Sequence, residues 1–122
     1  MQEKSDFQTA YFNDPLGNVF VLTETRWKHI RSGHDDDCAL GLYHAMGETI
    51  TDPDAVYRSA SSEYPNRRVY FRRNTSATFS PEKTTKVVCS VSRYGTDPSE
   101  VITAFSVLVE RGNISECIYK RS

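Results

Sequence analysis

Past Pro53 the hydrophobic pattern of this chain stops repeating like a helix and starts repeating like a sheet. Four segments, "AVYRSA", "RRVYFRR", "KVVCSVSRY" and "EVITAFSVLVE", gather Val, Ile, Tyr, Phe and Thr. Branched and aromatic side chains fit a pleated, half-buried surface better than a helix. The connectors are polar: "NTSATFSPEKTT" after the second segment and the short turn "GTDPS" after the third. So short a turn predicts an antiparallel pair for the last two of these strands. The C-terminal "NISECIYKRS" can add a short edge strand.

Before Pro53 the spacing is helical. "ETRWKHIRS" predicts a helix capped by Thr23 or Thr25 and stopped at Gly33, with Trp27 and Ile30 on one face. The acid run Asp35–Asp37 suits the start of a second helix, where negative charge complements the helix dipole. Ala39, Leu42, Met46 and Ile50 give that helix an apolar stripe. It ends before "TDPD", because proline disfavours helical geometry at the residue preceding it. Upstream, "AYFNDPLGNVFVLT" reads as two apolar runs around a cluster of turn formers: a hairpin, or a turn leading into a strand at Val19–Leu22. Helices followed by hairpin-linked strands predict an α+β fold, with N-terminal helices packed on one face of a four-stranded, or slightly larger, antiparallel sheet. A chain of 122 residues holds one such domain, 1–122, and the polar residues 1–10 are expected to be flexible.

No apolar run approaches a membrane span, and "MQEKSDFQ" lacks the apolar core of a signal peptide. The expectation is a cytoplasmic protein without a membrane partner, or a domain delivered into a target cell's cytoplasm. Cys38, Cys89 and Cys117 are widely spaced and form no CxxC pair, which predicts free, mostly buried thiols. The net charge is −1, but residues 58–93 carry eight bases against two acids. That basic middle fits either a phosphate-rich ligand or a solvated face paired with the acidic N-terminal third.

Strand parity sorts the side chains. Val87, Cys89 and Val91 are expected to face the helices, with Lys86, Val88 and Ser90 opposite. On the last strand Ile102, Ala104 and Leu108 go inward, while Val101, Thr103, Phe105 and Val107 point away. Tyr70 and Arg72 share one side, Phe71 and Arg73 the other. A sheet face with Lys86, Ser90, Thr103, Phe105 and one of the two arginines suits a phosphate with a stacked base. It also suits an ordinary solvent-facing sheet.

"RWKHIRSGHDDD" brings His29 and His34 close together. Histidine serves as base or acid near neutral pH, so a pair beside one phosphate is chemically sensible. Structural roles compete: His34 can meet free carbonyls at a helix end, and His29 can be a helix surface residue. His44 reads as a surface residue of the second helix. No H-E-x-x-H or calcium-loop spacing accompanies the aspartates, so neither a metal nor a cofactor is expected.

The order "NDPLGNVFVLTETRWKHIRSGH", "ETITDPDAVYRS", "VYFRR", "KVVCSVSRY", "EVITAF" resembles the phage and toxin-associated nucleases of the barnase–EndoU–colicin–RelE class. The resemblance spans roughly residues 13–106. It implies a small endoribonuclease, metal-independent, that cleaves RNA by attack of the 2′-hydroxyl on the adjacent phosphate. By position it implies His29 and His34 as the base and acid, in an order the sequence does not assign. Arg72, with Arg73 as its neighbouring candidate, and Thr103 follow from the same match. Lys86 joins Arg72 on the phosphate, and Arg73, Ser90 and Phe105 are the expected substrate contacts. Phe105 departs from the tyrosine frequent in the class and removes any phenol hydroxyl there. The implied partners are RNA, tRNA among the candidates, and an inhibitor or immunity protein. The alternative is a non-catalytic RNA- or protein-binding module on the same fold. Catalysis requires His29, His34, Arg72 and Thr103 to converge, whereas binding requires only a continuous basic surface.

Overall fold

The computed structural model describes residues 8–32, 36–73, 83–92, 99–108, 110 and 112–121, with the backbone alone for 36–40. The elements run β1 (Ala10–Asn13), β2 (Val19–Leu22), α1 (Glu24–Arg31), α2 (Asp36–Thr51), β3 (Ala55–Ser59), β4 (Arg67–Arg73), β5 (Thr84–Ser90), β6 (Ser99–Val107) and β7 (Ile114–Lys120). All seven strands form one sheet in the order β1-β2-β6-β5-β4-β3-β7. Every ladder is antiparallel except β2–β6, which is parallel and joins Phe20 to Ser99 and Val21 to Glu100.

This overturns the expected architecture of N-terminal helices on a four-stranded antiparallel sheet. The molecule is mostly sheet, seven-stranded and mixed, with two helices inserted after a hairpin. The reason is local weakness. Strands β1 and β2 have four residues each, and the partner that extends the sheet through β2 lies at the far end of the sequence. Strand β7 alternates poorly, with most of its residues exposed on the sheet edge, and charges at Glu116 and Lys120 suit such an edge.

The "NDPLGN" turn is held by one carboxylate. Asp14 accepts hydrogen bonds from the backbone N–H of Leu16 (3.0 Å) and Asn18 (2.7 Å) and from Asn18 Nδ2 (2.9 Å). It also accepts from the hydroxyl of Tyr70 in β4 and is itself buried. Gly17, with φ +91°, takes the left-handed step that side chains resist. Burial, and then the bond to Asp14, push the Tyr70 phenol far above its ordinary pKa, so it stays a donor.

Thr23 is the α1 cap, its side chain accepting from Arg26 N at 3.2 Å. Trp27 and Ile30 turn inward beside Leu42, Met46 and Ile50 of α2. Beneath them lie Phe20, Leu22, Val56, Tyr70, Val87, Cys89, Val101 and Ala104 from five strands. Strand β6 departs from strict parity. Its register slips where Val88 faces Thr103 but Cys89 faces Val101, leaving Ile102 as the extra residue. Val101 therefore joins the core, not the opposite face, and Leu108 is exposed. Cys89 is buried as expected, its thiol pKa raised by desolvation, whereas Cys117 is exposed on β7. Among the described residues no helix is long and apolar enough to cross a membrane.

Candidate functional site

Both helices cover one face of the sheet. The other, the far face, is read from the register. Across β4, β5 and β6 it sets Arg73 beside Thr84 and Val107, Phe71 beside Lys86 and Phe105, Val69 beside Val88 and Thr103, and Arg67 beside Ser90 and Glu100. Five of the sequence-derived candidates, Arg73, Lys86, Ser90, Thr103 and Phe105, thus share one surface.

Lys86 is central to it. Its ammonium sits 5.8 Å from the Phe71 ring centroid and 5.5 Å from that of Phe105, within range of both ring faces. Only 8% of the residue is exposed, because the turn after β6 lies across it. The close approach is made by Gly112, at φ +111°, where an added Cβ would fall 2.4 Å from Nζ. Desolvation lowers the Lys86 pKa, so the ammonium gives up its proton more readily than a surface lysine. The turn is also latched by Tyr57, whose hydroxyl donates to Glu110 Oε2 at 2.9 Å. That bond, then burial, push the Tyr57 phenol up to about 12.

His29 belongs to α1, one of the two helices on the opposite side of the sheet. It lines a crevice of about 270 Å³ with Thr23, Thr25, Arg26 and Glu100, at the short parallel joint between β2 and β6. Arg26 Nη1 crosses to the β6 bulge and donates to the Ile102 carbonyl at 3.5 Å. Glu100 belongs to both regions, lining the crevice and pairing with Ser90 on the far face. Across β4 and β5 a second cavity, of about 310 Å³, opens beside Lys86 and Arg67. The crevice reaches β6 and the cavity reaches β5, two neighbouring strands.

Arg72 lies apart from this surface. It pairs with Thr85 on the helix side, and its guanidinium meets Asp52 Oδ2 at 3.0 Å and Glu48 Oε2 at 3.8 Å. Arg121 shares Asp52, which it reaches at 2.9 Å, and also meets Asp54 at 3.5 Å. Part of the basic middle therefore neutralises the acidic third, as one reading of the charge pattern anticipates. We expect Arg72→Met to leave any nuclease rate within about threefold while lowering stability by roughly 1–3 kcal/mol, the range for losing a charged hydrogen-bonding partner; urea unfolding and a cleavage assay check the two halves. His34 lies outside the described residues.

Sequence reading missed Arg26, Glu100, Arg67 and Tyr64. The last two stand together in "YPNRR", where the guanidinium of Arg67 lies 3.8 Å over the Tyr64 ring. An aromatic three residues before an arginine at a strand start was the available signal.

No curated protein and no solved structure matches this chain. One family model does, over residues 2–118, nearly the whole length and more than the motifs alone cover. With that match, the chain belongs to the phage-Barnase-EndoU-ColicinE5/D-RelE like nuclease2 family.

Proposed function

We propose that this nuclease is an endoribonuclease that works by side-chain acid–base chemistry, without a metal, on RNA laid across the far face of the sheet. The observation that carries the reading is the strip between β4 and β6, where a nearly buried lysine, a threonine and an exposed aromatic stand side by side. Such a strip offers charge for a phosphate, a hydroxyl donor and a ring for a base.

In the proposed reaction the ribose 2′-oxygen attacks the adjacent phosphorus. The P–O5′ bond breaks and a 2′,3′-cyclic phosphate forms. Glu100 takes the 2′-hydroxyl proton and His29, which shares its crevice, gives one to the departing 5′-oxygen. His34, which the resemblance adds, supports the same proton transfers from the residues after α1. Lys86 and Thr103 stabilise the charge that builds on the non-bridging oxygens. Phe105 stacks a flanking base, while Ser90 and Arg73 hold the chain on either side. Whole RNA, tRNA included, is the proposed substrate, and an inhibitor protein covering this face is the proposed natural partner of a toxin or phage effector.

The test is incubation of the purified protein with total RNA and with tRNA in EDTA, beside His29→Ala, His34→Ala and Glu100→Gln. Discrete fragments ending in cyclic phosphate are expected from the wild type. A loss of about 100-fold or more is expected from His29→Ala and from Glu100→Gln. Folded wild-type protein that retards RNA without cutting it would replace this reading by the binding module. Cleavage that vanishes in EDTA would sink the metal-free mechanism.

A further inference from the structure

Apart from Lys86, the residues lining the cavity beside it take no part in the cleavage chemistry proposed above. Its walls come from the β3–β4 loop, from β4 and β5, and from Asn113 in the last turn. We infer that it holds one nucleotide of an unpaired RNA strand, the base stacked on the Arg67–Tyr64 pair and the phosphate directed to Lys86. This rests on the ribonuclease reading above.

Size limits the ligand first. At about 310 Å³ the cavity lies at the small end of organic-ligand sites, enough for one nucleotide unit and too little for two. Charge limits it next. Lys86 and Arg67 line it beside one acid among the described lining residues, Glu63, and cations of this kind suit the phosphate of a nucleotide. Flatness supplies the third argument. Tyr64 is 46% exposed, and Arg67 lies against its ring with the guanidinium 3.8 Å from the centroid. A guanidinium held on an aromatic ring is a preformed planar platform, and unpaired bases stack on such planes.

The remaining polar groups suit a nucleoside. Ser59 and Ser61 offer hydroxyls that both donate and accept, Glu63 accepts, and Asn113 does both. The Asn113 wall is fixed in place, because its carbonyl accepts from Ala60 N at 2.9 Å. A base paired within a duplex keeps its faces stacked on its neighbours, so only an unpaired or splayed nucleotide can enter. The pocket therefore selects single-stranded segments and sets which base lies next to the cut.

The test uses the whole protein, the four nucleoside 3′-monophosphates and inorganic phosphate, titrated by calorimetry and followed by NMR at Tyr64 and Asn113. At least one nucleotide should bind about tenfold or more tightly than phosphate. Tyr64→Ala should weaken that nucleotide about tenfold and leave phosphate binding unchanged, while Tyr64→Phe restores it. In RNA cleavage Tyr64→Ala should blur the base preference at the cut while the catalytic strip still works. Phosphate binding as tightly as every nucleotide, or nucleotide binding indifferent to Tyr64→Ala, overturns the pocket. If RNA is still cut in that case, the ribonuclease reading survives alone. Nucleotides bound through Tyr64 by a protein that cuts no RNA would leave the pocket standing and sink the ribonuclease reading.

Discussion

Lys86→Met is expected to cut RNA about 100- to 1,000-fold more slowly than the wild type, the usual cost of one charge-stabilising donor. Methionine keeps an unbranched stem between Phe71 and Phe105, so packing survives and only the ammonium is lost. Burial already disfavours the charged form of Lys86 in the folded state, so the native protein holds that proton less tightly than the unfolded chain. That contribution makes stability rise as pH increases from the lowered pKa toward the ordinary 10.5. The rate moves the other way: it should fall as Lys86 loses its proton, at a pH below that of a surface lysine. Lys86→Arg should shift this alkaline limb upward. A limb unchanged in Lys86→Arg would remove Lys86 from the reaction.

Asp14→Ala is expected to be strongly destabilising, although Asp14 is no part of the proposed site. Three hydrogen bonds within the turn disappear with the carboxylate, and the Tyr70 hydroxyl is left in the core without its acceptor. Lost charged hydrogen bonds and one stranded donor together amount to about 3–4 kcal/mol. For a domain of this length that lowers the melting temperature by roughly 12–15 °C. Pairing the change with Tyr70→Phe removes the stranded donor, so the double variant should be less destabilised than the sum of the singles. Strict additivity would mean that the two groups do not act as a unit. Tyr70 adds an alkaline signature of its own. Its phenol pKa is raised, so its contribution is fully present below about pH 10, the ordinary tyrosine value, and is lost above it.

Both helices could be read from the sequence because their signals are local. Thr23 caps its own helix, Trp27 and Ile30 define its inner face, and Pro53 ends the next one. Parity also sorted most of β4 and β5, including the opposite sides of Arg72 and Arg73, since side chains alternate wherever a strand is regular. It failed at Val101, where one extra residue in β6 reverses the faces, and nothing in "SEVIT" announces a bulge. The parallel β2–β6 joint was not legible either, because it depends on two residue pairs from distant parts of the chain. That joint shapes the proposed site, because Glu100 and His29 line one crevice beside it. Residue type pointed to the histidine, the lysine and the threonine of the proposed site, whereas its proposed carboxylate is visible only in the topology. Arg72 shows the converse, since its type suggested a phosphate ligand while Glu48 and Asp52 engage it on the helix side.

The strand order has a consequence for when the enzyme can act. The strip needs β6 for Thr103 and Phe105, and the cover over Lys86 needs the turn that leads into β7. Strand β7 forms one edge of the sheet by pairing with β3, some 60 residues before it in the chain. Pairings that far apart in sequence form late and slowly. A growing chain therefore carries Lys86, Thr103 and Phe105 before it has the turn and the edge strand that follow them.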